Sequence, residues 1–218
     1  MRLRKNKQGE AALSTMPGVL IPGENAPKLD WSAVFGRKAK LHVEIGVGKG
    51  DFIRAAAAKN PSIDYIGIER MWTVLYIAAK KNQARPLSNL RLLPLEAREL
   101  ASLFDPGQVQ RIYLNFSDPW PKNRHAHRRL TAPSMLSLYG EILAPGGQIQ
   151  LKTDQEAFFA YSIGECLKAG WSLGKITRDL YRSGMEDNIQ TEYERRFTDM
   201  GHAICRLEAW RPGRGQDR

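Results

Sequence analysis

The stretch LHVEIGVGKGDFIRAAAAKN (41–60), followed by IDYIGIE (63–69), decides the fold. LHVEIG (41–46) reads as a buried strand. DFIRAAAAKN (51–60) is built of helix formers and is stopped by Pro61. A second apolar run then opens at Ile63. Strand, helix, strand within one short segment is a βαβ unit, which demands a parallel pair with a crossover helix.

Working outward, the same alternation continues. MWTVLYIAAKKNQA (71–84) reads as a helix and NLRLLP (89–94) as a third strand, with a short helix near 96–104. VQRIYLNF (109–116) is a fourth strand. Thr131 is placed to cap a helix that runs to about Leu143 and is broken by Pro145, Gly146 and Gly147. QIQLKT (148–153) is a fifth strand, followed by a helix over Gln155–Lys168. WSLGKIT (171–177) and HAICRLEAW (202–210) complete a set of seven strands. Strands alternating with helices mean an α/β fold with a parallel sheet and crossover helices. In such sheets ligands sit at the carboxyl ends of the strands, so residues just past a strand are the ones to inspect.

A chain of 218 residues suits one domain with a core of its own. We expect that domain over 31–212, a mobile basic arm over 1–30, and a frayed tail over 213–218. The arm carries Arg2, Arg4, Lys5 and Lys7 and is punctuated by Pro17, Pro22 and Pro27. With 42% hydrophobic and 26% charged residues, fibrous and wholly disordered classes are excluded. No apolar run approaches the ~20 residues of a membrane span. The basic start, MRLRKNKQGE, is not followed by the apolar core of a secretion signal. Cys166 and Cys205 form no zinc spacing, which fits a reduced, cytoplasmic setting. The net charge of +10 points to a polyanionic partner, with solubility alone as the plainer reading.

Strand one runs into a turn with Gly46, Gly48 and Gly50 at alternate positions. Glycines there permit positive φ and let a ligand come close to the backbone; a tight strand–helix turn is the alternative. The loop is neither a Walker A loop nor GxGxxG, because Asp51 stands where a third spaced glycine would be. Glu44 lies near the end of strand one, and Glu69 ends strand two. An acid at Glu69 can accept both ribose hydroxyls of a nucleoside, or pair with Arg70. The absence of a phosphate cradle favours a nucleoside cofactor without phosphates, such as S-adenosylmethionine. Glu96, just past strand three, either meets the adenine or serves as a helix N-terminal acid.

Strand four ends in LNFSDPWPKNRHAHRRL (114–130). Asp118 falls at the ligand edge, and Pro119 and Pro121 stiffen the loop around Trp120. Lys122, Arg124, His125, His127, Arg128 and Arg129 follow. A basic loop with an aromatic at its base suits RNA, with a solvated surface as the alternative. His125 and His127 have no carboxylate or cysteine spaced to complete a metal site, so no metal is expected. Lys152 and Asp154 come just past strand five, and Thr191, Glu192, Tyr193 and Glu194 lie further on. Thr191 and Glu194 also form the spacing of a capping box.

Together EIGVGKG (44–50), IGIER (66–70), FSDPWPKNRHAHRRL (116–130), LKTD (151–154) and TEYERRF (191–197) resemble the bacterial tRNA (guanine-N(7))-methyltransferase family, over about residues 40–210. The resemblance implies a class I methyltransferase fold, α/β, three-layer and Rossmann-like, with a mostly parallel seven-stranded sheet and helices on both faces, and methylation of the guanine at position 46 in the variable loop of tRNA. It implies donor contacts at Glu44, Gly46, Gly48, Gly50, Glu69, Glu96 and Asp118. Substrate contacts would come from Lys122, Asp154 and Thr191–Glu194, and RNA contacts from Arg124, His125, His127, Arg128 and Arg129. A soluble monomer or homodimer is expected.

The ring nitrogen N7 of guanine carries a lone pair and no proton, so direct attack on a sulfonium methyl needs no general base. Asp118 is the candidate for stabilising the positive charge that appears on the purine. Two other readings stand beside this one. SDPW (117–120) loosely echoes the NPPY-type loop of methyltransferases acting on exocyclic base nitrogens, departing at Ser117 and Asp118. A non-catalytic RNA-binding protein on the same fold is the other.

Overall fold

The computed structural model describes residues 12–23 and 28–211. Within these residues the chain forms two compact units, dividing between Phe104 and Asp105. It contains a seven-stranded sheet, mostly parallel as expected. Residues 1–11 and the tail 213–218 lie outside the described residues.

In the first unit, helix α1 (Trp31–Phe35) is capped by Asp30, whose carboxylate accepts the Ser32 and Ala33 N–H groups. Strand β1 (Lys40–Ile45), helix α2 (Asp51–Lys59), strand β2 (Ile63–Ile68), helix α3 (Trp72–Ala84) and strand β3 (Leu90–Leu93) follow. A 3₁₀ helix over Ala97–Ser102 closes the unit. The strand order is β3-β2-β1, all parallel. Val43, Ile45, Ile66, Ile68, Leu92 and Leu93 are buried, and so are the polar His42, Glu44 and Asp64 beside them, so both faces of β1 and β2 are covered. Asn89 is the polar tie at the amino end of β3: its amide donates to the carbonyls of Ala57, Asn60 and Ile63. The stretch expected to be a mobile arm is partly described. Leu13 is fully buried there, and Leu20 donates its N–H to the Leu92 carbonyl (2.9 Å).

The second unit holds strand β4 (Val109–Asn115), a 3₁₀ helix over Asn123–Arg128, helix α4 (Pro133–Ile142) and strand β5 (Leu143–Thr153). Helix α5 (Glu156–Lys168), strand β6 (Ser172–Thr177), helix α6 (Glu192–Asp199) and strand β7 (Cys205–Trp210) complete it. The order is β4-β5-β7-β6; β4 and β5 are parallel, and β7 runs antiparallel to both its neighbours.

Thr131 does not cap α4. Pro133 occupies the first turn of that helix, where its fixed φ and missing N–H are favourable, and Ala132 precedes it. Thr131 is instead fully buried, with its hydroxyl 2.8 Å from that of Ser162 on α5. Among the described residues no helix is long and apolar enough to cross a membrane. None of their His, Cys, Asp and Glu groups could hold a metal ion.

Candidate active site

The glycine turn of the first unit is built as the sequence implies. Gly46, Gly48 and Gly50 all have positive φ (79°, 55° and 78°). A Cβ at Gly46 or Gly48 would meet nothing within 4 Å, so this face of the loop is open. Gly50 differs: a Cβ there would lie 2.7 Å from that of Ala78, so glycine is what lets α2 start against α3. Asp51, in the first turn of α2, pairs with Lys81 of α3 at 2.6 Å. Glu44 is buried on β1 opposite Gly67 of β2.

Glu69 sits where β2 ends, and both its carboxylate oxygens face backbone donors. Gly48 N–H donates to Oε2 (3.2 Å) and Met71 N–H to Oε1 (2.9 Å). The side chain therefore ties the glycine turn to the start of α3, where a negative charge also suits the helix dipole. Of the two readings open for Glu96, the structure supports the helix-terminal one. Its exposed side chain accepts the Glu99 N–H, and Glu99 accepts the Glu96 N–H (3.2 Å) in a reciprocal capping box.

In the second unit the chain leaves β4 through an unusual turn. Phe116 (φ 51°) and Trp120 (φ 43°) are the non-glycine residues with positive φ among those described, and the exposed Asp118 lies midway between them. Such positions cost free energy and persist only when the surroundings hold them. The 3₁₀ turn Asn123–Arg128 then presents exposed Lys122, Arg124, His127 and Arg128, with His125 half-buried. Arg128 lies over the Trp120 ring at 4.8 Å, and His125 meets its edge at 5.7 Å.

Arg129 requires a correction. It was expected on the RNA backbone with its neighbours, but it is only 8% exposed and faces inward. Its Nε donates to the Pro119 carbonyl (3.0 Å) and Nη2 to that of Trp120 (2.9 Å), while the guanidinium lies 4.2 Å from the centre of the Tyr161 ring.

Glu194 also departs from its expected place at the substrate. It and Lys152 are both fully buried and pair at 2.6 Å. Tyr181 and Asn188 donate to the other carboxylate oxygen (2.8 and 2.6 Å), and the Thr191 N–H reaches Oε2 (3.2 Å). Lys152 donates further to Asn188 Oδ1 and the Ile189 carbonyl. Thr191 caps α6 by accepting the Glu194 N–H (2.9 Å). Glu194 is thus a saturated anchor, and the capping box expected from the spacing is present. Next to it Tyr193 is 43% exposed; it meets Phe116 at 4.8 Å and stacks on Phe197 at 4.1 Å. Asp154, half-buried past β5, accepts the Gln155 amide at 2.7 Å.

Sequence reasoning missed Tyr161, Tyr181, Asn188 and the Arg206–Asp187 pair. Arg206 is fully buried on β7 and donates to both oxygens of Asp187 at 2.9 Å, to Gln150 at 3.3 Å, and to Glu208. Arg206 holds the Asp187 carboxyl down to about 2. Two charged residues, Arg206 and Glu208, in a strand whose other residues are apolar, CRLEAW, are the one sequence signal that buried charge partners exist.

Comparison with known proteins agrees with this layout. Residues 38–207 match a family described as putative methyltransferases. The chain is 45% identical over 98% of its length to a tRNA (guanine-N(7)-)-methyltransferase of Geobacillus kaustophilus (strain HTA426), covering 99% of that protein. It is 44% identical over 96% of its length to one of Streptococcus thermophilus (strain CNRZ 1066), covering 98%. Among solved structures, the 16S rRNA methyltransferase KamB superimposes with a TM-score of 0.65 at 16% identity, over 88% of this chain and 99% of that one. A 16S rRNA (adenine(1408)-N(1))-methyltransferase from Catenulisporales acidiphilia, solved with its cosubstrate SAM, gives 0.64 at 15% identity, over 90% and 97%. At such identities the likeness is one of fold, and that fold is the class I methyltransferase architecture expected above. On the strength of the full-length sequence matches, the chain belongs to the tRNA (guanine-N(7)-)-methyltransferase family.

Proposed function

We propose that the protein methylates N7 of guanine 46, in the variable loop of tRNA, by direct attack and without a general base. The working domain of this reading is 31–212, acting in the cytoplasm as a monomer or homodimer. S-adenosyl-L-methionine is the methyl donor, and it supplies an electrophilic methyl carried on a sulfonium. The residues of the first unit fit such a group. Gly46 and Gly48 leave the face of their turn open, and the Glu69 carboxylate stands at the end of β2. Each Glu69 oxygen has a second lone pair with which to accept a ribose hydroxyl. Glu44, Gly46, Gly48, Gly50 and Glu69 carry the donor in this reading, while Glu96 keeps its helix-capping role past β3.

What carries the assignment of the acceptor is the turn after β4. It presents an exposed carboxylate, Asp118, immediately before the exposed basic residues Lys122, Arg124 and Arg128. Methylation at N7 leaves the purine positively charged, and a fixed carboxylate favours that charge as it develops. Lys122, Asp154, Glu192 and Tyr193 would meet the guanine, while Arg124, His125, His127 and Arg128 would meet the RNA backbone. Thr191 and Glu194 serve by anchoring α6 rather than by touching the base. Nothing need be deprotonated, so positioning and electrostatics carry the rate.

The test is to incubate tRNA lacking the mark with the protein and S-adenosyl-L-methionine, then map 7-methylguanosine by chemical cleavage. The expected product is a single mark at guanine 46, with single-turnover rates nearly flat from about pH 7 to 9, since the attacking ring nitrogen has no proton to lose. A mark on an exocyclic nitrogen, or a rate rising tenfold per pH unit, would overturn the reading.

A further inference from the structure

We propose that Arg129 is a positioning residue: it holds the turn that presents Asp118, and it is not an RNA contact. The inference rests on the reading of Asp118 as the carboxylate at the reacting guanine. The turn from Phe116 to Pro121 has left-handed backbone at both ends without glycine at either. It also contains Pro119 and Pro121, which have no N–H with which to close a turn of their own. Left to itself this segment would relax, and Asp118 would move with it.

Two contacts in the second unit oppose that relaxation. Phe116 donates its N–H to the Lys152 carbonyl (2.8 Å), which fixes the entry of the turn to the end of β5. Arg129 fixes the exit. One planar guanidinium reaches two successive carbonyls, those of Pro119 and Trp120, and its face rests on Tyr161 of α5. A rigid fork of donors can hold two acceptors in fixed relation, which a lysine ammonium cannot. The neighbouring Arg128 is exposed, with its guanidinium over the Trp120 ring. The basic run therefore divides by role, with Arg124 and Arg128 outward and Arg129 inward.

The experiment compares Arg129→Lys, which keeps the charge and loses the fork, with Arg124→Ala and Arg128→Ala. For each, tRNA affinity is measured against salt, and methyl transfer is measured in single turnover with tRNA and donor saturating. Each outward arginine removed should lower the slope of log affinity against log salt by roughly 0.7–0.9. Arg129→Lys should leave that slope unchanged and slow transfer by about 10- to 100-fold, the scale of a small misplacement of a reacting group. Tyr161→Leu, which removes the ring under the guanidinium, should slow transfer in the same sense, and it decides the matter if the arginine variant does not fold. Asp118→Asn combined with Arg129→Lys should be no slower than Asp118→Asn alone by more than a few-fold. Full-rate transfer by Arg129→Lys or Tyr161→Leu, or a salt slope reduced by Arg129→Lys, overturns the proposal. If Asp118→Asn itself transfers at the wild-type rate, both this proposal and the role of Asp118 fall. If Asp118→Asn is slow and Arg129→Lys is not, this proposal falls alone.

Discussion

Glu69 holds the glycine turn through Gly48 and the start of α3 through Met71, and its remaining lone pairs are directed to the ligand in our reading. A charge-assisted hydrogen bond contributes about 1.5–3 kcal/mol. Glu69→Ala should therefore weaken S-adenosyl-L-methionine binding by ~10-fold or more, read by calorimetry on a variant whose circular dichroism matches the parent. Unchanged affinity would remove Glu69 from the donor site. The position of Glu69 was legible because an acid that ends a strand in a βαβ unit has few other places to be. Its bonds to Gly48 and Met71 were not, because they depend on the shape of a turn and not on spacing. Arg128 and Arg129 show the limit more sharply. They are adjacent and chemically alike, yet one is exposed and the other 8% exposed, and only the path of the chain past Trp120 separates them.

At the scale of elements, α6 and the segment before it are held by two buried cations. Lys152, at the end of β5, grips Glu194, Asn188 and Ile189; Arg206, on β7, grips Asp187. Removing one partner of a fully buried pair leaves the other charge uncompensated and typically costs about 3–5 kcal/mol. Lys152→Met should therefore lower stability by that amount in urea denaturation, and Lys152→Met with Glu194→Leu should recover part of it. The second grip is sensitive to acid. Asp187 has a folded value of about 2, below the ordinary carboxylate range. Its stabilisation is thus complete above about pH 4 and is lost as pH falls through 2. Wild type and Asp187→Asn should differ in urea midpoint at pH 7 and converge between pH 4 and pH 2; a constant gap would sink the assignment. The capping box of α6 was legible from Thr191 and Glu194, three apart. Lys152 as its partner was not, since 42 positions separate it from Glu194 and only the sheet brings them together.

Across the whole molecule, most strands and helices were legible because the inner strands are largely buried and most helices stop within two residues of a proline or glycine, whereas β5 already opens at Leu143, before the expected break at Pro145, and β6 has no buried residue. The reversal of β7 was not legible, since an apolar run carries no mark of its direction. That reversal bears on how the protein is made. In the second unit β6 lies at the end of the order, with β7 as its neighbour, and β7 in turn occupies the place beside β5. The ribosome delivers β5 and then β6, but neither can take up its final pairing there until residues 205–210 have emerged. Until then β5 and β6 wait with unpaired edges, whereas β1, β2 and β3 of the first unit are complete by residue 93 and can pair in the order in which they appear. Synthesis of the last strand is therefore the event that closes the second unit.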